Sequence, residues 1–250
     1  MIIDILTLFP EAINGVINTS ILKRAIDANT ITINVIDYRE FSNKKNKRVD
    51  DYSYGGGAGM IIEPQPIVDA LKSIDGYKAA HKIITSPIGR VFNQGVAKEL
   101  SEKEHLIIVC GHYEGIDERI MNYVDEAISI GDYILTGGEI AALAICDSVA
   151  RLLPNVLGND ESAKDESFDE GLLEYPQYTR PEVYDGHEVP SVLLSGNHEE
   201  IRKWRRFKSL ERTYKNRPDL ISEDKLTKED KKFLEEIKKG ITRWKELSLL

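Results

Sequence analysis

The feature that most constrains the fold is the alternation of β-rich and helical segments along residues 1–158. The segments MIIDILTLF and TITINVIDY favour strands, and a helical pattern from Glu11 to Asp27 separates them. Farther along, HLIIVCG at 105–111 is almost wholly apolar, which is typical of a strand covered on both faces of a parallel sheet. This alternation predicts an α/β domain with a mainly parallel sheet.

The composition changes after residue 158. The next stretch, NDESAKDESFDEG, has six acidic residues and one lysine and predicts a flexible linker over 159–172. A short segment, VPSVLLSGN, is predicted to be extended, and two charged helical patterns follow it. We therefore expect a third part, a mostly helical domain over 173–250.

The charge of the chain is unevenly distributed. The net charge is −9, which by itself argues weakly against a nucleic-acid partner. Residues 202–217, however, contain eight basic residues and one acidic residue, and NKKNKR at 43–48 is a second basic cluster. Because local patches rather than totals set the affinity for phosphates, the sequence still allows an RNA partner.

Three glycine-containing turns follow predicted strands: TSPIGR, CGHYEGIDER and LTGGE. In a parallel sheet all three lie at the carboxyl edge, where open α/β sheets bind ligands, although each could also be an ordinary turn. The third turn predicts a helix over 138–153 with Thr136 as N-cap and Glu139 completing a capping box. Neither G-x-G-x-x-G nor G-x-x-x-x-G-K-[ST] occurs, so we expect a nucleoside-like ligand without phosphates.

The cellular setting is also constrained. Cys110 and Cys146 lie in apolar runs and are expected to be buried free thiols, which suits the cytoplasm. No apolar run is long enough to span a membrane, and the N-terminal segment resembles a first strand rather than a signal peptide. Histidines and cysteines show no zinc-ligand spacing.

Several long strings resemble one family. They are DDYSYGGGAGM, SPIGRVFNQ, CGHYEGIDERI, SIGDYILTGGE, DSVARLLPNVLGN, GLLEYPQYTRPEVY and VLLSGNHEEIRKWR, and they are similar to the bacterial tRNA (guanine-N1)-methyltransferases of the TrmD family. The resemblance implies a SPOUT-class fold with a trefoil knot and a homodimer whose active site lies at the subunit interface. It also implies methylation of N1 of guanine 37 in tRNA, 3′ of the anticodon and preceded by G.

The resemblance further implies S-adenosylmethionine as the methyl donor. The donor carries no phosphate, in agreement with the missing phosphate motifs. The residues expected to line its site follow the three turns: Ser86, Pro87, Gly111, Tyr113, Glu114, Ile130, Gly131, Asp132, Tyr133, Ile134, Leu135, Gly137 and Gly138. Magnesium is a further possible cofactor implied by the resemblance, and no residue cluster identifies a metal site.

Methyl transfer to guanine N1 needs a base for the N1 proton and a cation near O6, where negative charge develops. The resemblance assigns the cation to Arg151, although an i,i+4 ion pair with Asp147 is the structural alternative. The family's base is an aspartate directly before Ser-Phe, and this chain has Glu166 there. We assign the base to Glu166; Asp165 is the alternative, and Asp169 lies three positions too far on.

The expected RNA contacts lie in the last domain. Tyr178 and Arg180 belong to the YPQYTRP string and suit an extruded base and phosphates. The basic helix supplies Arg202, Lys203, Arg205, Arg206 and Lys208 as phosphate contacts. Trp204 and Phe207 are expected to pack the core of this domain, and Arg48 and Asp51 are weaker candidates for substrate contact.

Three other functions are alternatives for this sequence. A SPOUT enzyme acting on a ribose 2′-hydroxyl or on ribosomal RNA is disfavoured by the acidic linker and the YTRP string. A Rossmann-type dehydrogenase is disfavoured because G-x-G-x-x-G is absent. A catalytically silent RNA-binding protein would retain the glycine turns without using them.

Overall fold

The structure is a computed structural model and describes residues 1–157, 167–168, 171–241 and 243–244. The chain divides into two compact units, Met1–Asp160 and Glu161–Leu250. Each unit is described by itself.

The first unit is built from strands and helices in near-regular alternation. Its elements, in chain order, are β1 Ile2–Thr7, α1 Pro10–Ile17, α2 Ser20–Asp27, β2 Thr32–Asp37, β3 Asp50–Asp51, β4 Ile61–Ile62, α3 Pro64–Ser73, β5 His81–Val91, α4 Gln94–Ser101, β6 His105–Cys110, β7 Glu126–Ser129 and α5 Glu139–Ala150. Short 3₁₀ turns occupy Tyr38–Phe41, Lys45–Lys47 and Glu118–Tyr123.

The central sheet has five strands in the order β2-β1-β6-β5-β7. All four neighbouring pairs are parallel, so the carboxyl ends of the five strands point to one edge. The predicted α/β fold with a mainly parallel sheet is confirmed. A separate antiparallel pair joins β3 to β4.

Both faces of the sheet are covered by apolar side chains. In β6, Leu106 and Ile108 belong to a cluster that includes residues of α1, α2, α4 and α5, whereas Ile107 and Val109 belong to a second cluster that includes residues of α3. Successive strand residues point to opposite faces, so an uninterrupted apolar run is what a doubly covered strand requires. The prediction for HLIIVCG is confirmed.

The second unit is small and mainly helical. Its elements are β8 Val183–Tyr184, β9 His187–Glu188, α6 Ser191–Leu194, α7 His198–Asn216, a 3₁₀ turn Pro218–Leu220 and α8 Lys228–Lys238. The core forms where α7 meets α8, and Phe207 packs edge-on against Phe233 with ring centroids 5.6 Å apart. Trp204 and Phe207 are both buried, as predicted.

Three local predictions were wrong. The helix predicted over Glu11–Asp27 is two helices, because Thr19 has an extended backbone between them. The strand predicted through Leu135 ends at Ser129, where a glycine turn begins. VPSVLLSGN contains a short helix rather than an extended segment, with Pro190 at its N-cap.

Two compartment-related features can be read from the described residues. Cys110 and Cys146 are buried and unbridged, as predicted. Within the described ranges, no helix combines the length and the apolar character that crossing a bilayer requires.

Candidate cofactor and RNA site

The second and third predicted turns are joined directly at the carboxyl edge of the sheet. The Gly138 amide donates a hydrogen bond to the Gly111 carbonyl at 2.8 Å, and His112 forms an antiparallel bridge with Gly137. The start of α5 is thereby attached to the end of β6. A Cβ atom at Gly138 would lie 2.1 Å from Thr85 Oγ1 and 2.9 Å from Cys110 Cα, so the contact depends on glycine.

The first turn is a loop inserted within β5. Thr85 and Arg90 both pair with Ile128 of β7, so the residues between them, which include Ser86 and Pro87, are looped out of the ladder. Gly89 closes this loop against β7, where an added Cβ would lie 2.4 Å from the Ile128 nitrogen. The loop therefore projects from the edge at which Gly111 and Gly138 meet.

The segment 130–135 continues from the end of β7 as a turn. Tyr133 folds back on it, with its hydroxyl donating to the Ile130 carbonyl at 3.2 Å and its amide donating to the Gly131 carbonyl at 3.0 Å. The side chains of Tyr133 and Ile134 are 54% and 81% exposed. This turn offers apolar surface and main-chain groups at the same edge.

The glycine loop DDYSYGGGAGM is connected to the second turn. The Glu114 amide donates to the Met60 carbonyl at 3.2 Å, and the Ile62 amide donates to the Gly115 carbonyl at 3.0 Å. Tyr113, which begins this part of the turn, has a left-handed backbone with φ of 60° and is 43% exposed. Four glycine-containing segments thus converge on the carboxyl edge.

The predicted capping box of α5 is wrong. The N-cap residue is Gly138, and no side chain caps this end. Glu139 is buried, and its Oε1 accepts a hydrogen bond of 2.7 Å from the hydroxyl of Thr7, the last residue of β1. Thr7 is not among the residues predicted from the sequence; its position at the end of a strand, like that of Thr85, is the signal that could have identified it.

Burial keeps two ionisable groups behind these turns, Cys110 and Tyr38, in their neutral forms. Burial raises the pKa of the Cys110 thiol well above its usual value, and the nearby Glu139 carboxylate raises it further. Burial is also the largest cause that raises the pKa of Tyr38, whose hydroxyl donates to the Cys110 carbonyl at 3.3 Å. Cys110 is therefore a buried thiol that stays protonated at neutral pH.

The carboxyl edge carries groups of the kinds that could bind a nucleoside without phosphates. Main-chain donors and acceptors of the turns supply directional contacts, and the exposed rings of Tyr113 and Tyr133 supply apolar surface. None of the predicted lining residues is a lysine or an arginine. His112 adds a buried Nδ1 atom without a hydrogen-bond partner among the described residues, and its ring lies 4.9 Å from that of Phe9.

The structure locates only part of the predicted catalytic pair. Arg151 is the C-cap residue of α5, at the end of the helix opposite Gly138, and its amide donates to the Asp147 carbonyl at 3.0 Å. Glu166, Asp165 and Asp169 lie outside the described residues. The assignment of the base therefore stays a prediction from the sequence.

The weaker candidates near the glycine loop form a charged network. Lys44 Nζ lies 2.8 Å from Asp51 and 2.6 Å from Glu63, and the hydrogen bond from Lys44 lowers the pKa of Asp51. Arg48 Nε lies 3.6 Å from Asp50 Oδ1, and Arg48 Nη2 lies 3.7 Å from Asp51 Oδ1. These contacts give Arg48 and Asp51 a structural role in the first unit.

Most of the predicted phosphate contacts on α7 have acidic partners. Arg202 pairs with Glu199 and Glu229, and hydrogen bonds to both carboxylates raise its pKa. The other pairs are Lys203 with Glu199 and Glu200, Arg206 with Asp230, and Lys208 with Glu211. Lys208 is also buried, whereas Arg205 is exposed and lies over the Tyr175 ring at 4.9 Å.

The remaining predicted RNA contacts are accessible. Tyr178 is 46% exposed, and its ring centroid lies 6.3 Å from that of Trp204. Arg180 is exposed. A groove of about 620 Å³ in the second unit lies between the segment 172–175 and the helices α7 and α8, and both arginines and carboxylates line it.

Known proteins that are similar to this chain identify its family. The family model described as tRNA (Guanine-1)-methyltransferase TrmD matches residues 1–223. The chain is 55% identical to the tRNA (guanine-N(1)-)-methyltransferase of Clostridium novyi (strain NT), over 94% of this chain and 97% of that protein. It is 56% identical to that of Clostridium tetani (strain Massachusetts / E88), over 93% and 97%. The chain therefore belongs to the tRNA (guanine-N1)-methyltransferase family TrmD.

Proposed function

We propose that this protein transfers a methyl group from S-adenosylmethionine to N1 of guanine 37 in tRNA, at sites where that guanine follows another G. The observation that carries the proposal is the junction of glycine turns at the carboxyl edge, made by the Gly138–Gly111 hydrogen bond in a chain of the TrmD family. Main chain rather than cationic side chains dominates this edge, which suits a nucleoside donor without phosphates.

The lining residues would hold the donor mainly through backbone atoms. When bound, S-adenosylmethionine supplies a methyl group activated by a sulfonium. The 130–135 turn and the loop holding Ser86 and Pro87 supply apolar surface and main-chain groups beside Gly111 and Gly138. Because the turns are already hydrogen-bonded to each other, little ordering cost remains for ligand binding.

The chemistry at guanine requires two groups of this chain. Glu166 takes the N1 proton, and the N1 lone pair forms the new bond to the methyl carbon as the carbon–sulfur bond breaks and its electron pair stays on sulfur. Arg151 stabilises the negative charge that develops on O6. The structural alternative for Arg151, an ion pair with Asp147 at the helix end, would leave O6 without this cation.

The wider setting follows the family. We propose a cytoplasmic homodimer with the active site at the subunit interface, a knotted SPOUT fold, and a tRNA-binding role for the second unit. The YPQYTRP segment, with Tyr178 and Arg180 exposed, would meet the base and phosphates near guanine 37. Magnesium would be tested by comparing activity with and without a chelator.

The test of the reaction uses two tRNA transcripts that differ at one position. A transcript with G at positions 36 and 37 is expected to accept labelled methyl from S-adenosylmethionine, and the same transcript with A37 is expected to stay unlabelled. Equal labelling of both transcripts would contradict guanine 37 as the methylated nucleotide. Digestion to nucleosides then identifies the methylated nitrogen.

The test of the general base compares two neighbouring carboxylates, Glu166 and Asp165, each of which is the control for the other. Glu166→Gln is expected to lower the methyl-transfer rate by about 10²-fold or more, because the variant cannot accept the N1 proton, while calorimetric binding of S-adenosylmethionine persists. Asp165→Asn is the matched control and is expected to remain active. The reverse pattern would assign the base to Asp165.

A further inference from the structure

The cations of helix α7 fall into two classes. Five of its seven lysines and arginines form ion pairs with carboxylates of the same unit, namely Arg202, Lys203, Arg206, Lys208 and Lys215. Arg205 and Arg212 have no carboxylate partner among the described residues, and both are exposed. The positive charge that the sequence spreads along the helix is therefore concentrated at two positions.

These two positions lie on one face of the helix. Arg205 and Arg212 are seven residues apart, about two turns, which places them roughly 10 Å apart along the axis. Two cations at this spacing can meet separate phosphates of a single strand. A paired cation contributes less, because its carboxylate partner cancels most of its field at a phosphate.

The segment 172–175 runs along the same face and orients both guanidinium groups. Ser209 Oγ donates to the Leu173 carbonyl at 2.6 Å, and the Leu173 amide donates to Thr213 Oγ1 at 2.9 Å. On this fixed backbone, the Glu174 carbonyl accepts a hydrogen bond of 3.1 Å from Arg212 Nη1. The Tyr175 ring lies under the Arg205 guanidinium, 4.9 Å away.

The groove beside this segment is unsuited to phosphate where it meets α8. Glu229 and Asp230 line that part, and they bind Arg202 and Arg206. A phosphate placed there would have to displace a carboxylate from its arginine. An RNA backbone would therefore avoid this part of the groove and follow the exposed edge of α7.

We propose that Arg205, Arg212 and Tyr175 form the phosphate-contacting surface of the second unit, which we name the arginine edge. Its ligand is the sugar–phosphate backbone of RNA, and the identification of that RNA as tRNA rests on the proposed function. The paired cations Arg202, Lys203 and Arg206 stabilise the unit instead of contacting the backbone. Tyr175 acts as a positioning residue that holds the Arg205 guanidinium on its ring.

The experiment measures binding of a GG-containing tRNA transcript by fluorescence anisotropy over a series of salt concentrations. Arg205→Ala and Arg212→Ala are each expected to raise the Kd about five- to tenfold and to reduce the slope of log K against log salt by about 0.7 to 0.9. Lys203→Ala and Lys215→Ala remove the same charge from paired positions. These matched controls are expected to leave the slope nearly unchanged.

Tyr175 gives an independent readout. Tyr175→Phe keeps the ring and is expected to bind like the wild type, whereas Tyr175→Ala is expected to raise the Kd but to retain most of the salt slope, because the charge of Arg205 remains. Fluorescence of the two tryptophans, Trp204 and Trp244, verifies that the second unit of each variant is folded. Equal effects of Tyr175→Phe and Tyr175→Ala would overturn the positioning role.

The binding results distinguish a failure of the arginine edge from a failure of the proposed function. Equal slope changes in the two arginine variants and the two lysine controls would show that net charge, and not the arginine edge, sets RNA affinity. A wild-type protein that binds S-adenosylmethionine in calorimetry but binds no tRNA would overturn the proposed function, and this inference with it. Full methyl transfer by wild type with unaltered binding in Arg205→Ala and Arg212→Ala would overturn the inference alone.

Discussion

At the scale of single residues, Gly138 is a point of close approach between the start of α5 and the strands β5 and β6. We expect Gly138→Ala to lower the free energy of unfolding by about 1–3 kcal/mol, because its Cβ would meet Thr85 Oγ1 at 2.1 Å and backbone atoms of β6. It is also expected to weaken binding of S-adenosylmethionine. Urea denaturation and calorimetry measure the two effects.

Gly15 is the matched control for this substitution. It lies inside α1, and a Cβ there would meet nothing within 4 Å. Gly15→Ala is expected to stabilise the protein by about 0.5–1 kcal/mol, because alanine loses less backbone entropy in a helix. A destabilisation equal to that of Gly138→Ala would contradict the role assigned to the close contact.

The hydrogen bond between Thr7 and Glu139 is a second residue-scale feature. It joins the end of β1 to the first turn of α5, 132 positions away in sequence. Thr7→Val is expected to cost about 1–3 kcal/mol of unfolding free energy, because Oε1 of a buried carboxylate loses its donor. Thr7→Ser keeps the hydroxyl but loses the methyl group, and it is expected to cost less; equal costs in denaturation experiments would show that the methyl contact contributes as much as the hydrogen bond.

At the scale of elements, substitutions at two threonines distinguish a helix that has a side-chain cap, α8, from one that has none, α5. Thr227 caps α8 in a reciprocal capping box, in which its side chain accepts from the Asp230 amide and Asp230 accepts from the Thr227 amide. Thr227→Ala is expected to cost about 1 kcal/mol. Thr136→Ala is the matched control and is expected to be nearly neutral, because Thr136 does not cap α5. If both variants lost a comparable amount of stability in thermal unfolding, Thr136 would cap α5 after all.

The contact between α7 and α8 has a predictable pH dependence. Burial opposes the ionised form of Asp230, but hydrogen bonds from Arg206 and Thr227 outweigh it and lower the pKa below 3.8. A carboxylate whose pKa is lowered in the folded state stabilises the protein above its unfolded pKa, and this stability is lost as the pH falls through the folded pKa. We therefore expect the second unit to lose stability below about pH 4.

Asp230→Asn tests this expectation. The variant is expected to be less stable at pH 7, because Arg206 loses its carboxylate partner, and to show a weaker fall in stability between about pH 4 and 2. Tryptophan fluorescence measures the unfolding midpoint at each pH. An unchanged pH profile in the variant would assign the acid sensitivity to other carboxylates.

At the scale of the whole molecule, each unit has its own core. Both tryptophans of the chain, Trp204 and Trp244, belong to the second unit, so their fluorescence reports on that unit alone. Phe233 is buried there beside Phe207. Phe233→Ala is expected to destabilise this unit by about 3–5 kcal/mol, because it leaves a cavity.

Phe233→Ala is expected to affect the proposed functions of the two units differently. Phe233→Ala is expected to lower the tryptophan-monitored unfolding midpoint and to leave the calorimetric affinity for S-adenosylmethionine unchanged, because the proposed donor site lies in the first unit. Binding of tRNA is expected to weaken. A large loss of donor affinity in folded Phe233→Ala protein would show that the second unit is needed to bind the donor.

The sequence by itself determined the class of fold, most element positions and the turns to which we assign the proposed donor site. Apolar runs and glycine positions are local, so β6, α7 and the turns around Gly111 and Gly138 could be predicted from neighbouring residues. The family resemblance extended this to the reaction. The broken helix at Thr19 shows the limit of periodicity, since the apolar pattern continues through the break.

Only the tertiary structure decided which distant groups meet. The strand order β2-β1-β6-β5-β7, the loop inserted within β5, and the Thr7–Glu139 hydrogen bond all depend on residues far apart in sequence. On α7, the partners from α8 decide that Arg202 and Arg206 are paired, while Arg205 and Arg212 have no described carboxylate beside them. A count of charged residues along the sequence does not show which of them face each other. Ion pairing depends on the face of the helix that each side chain occupies.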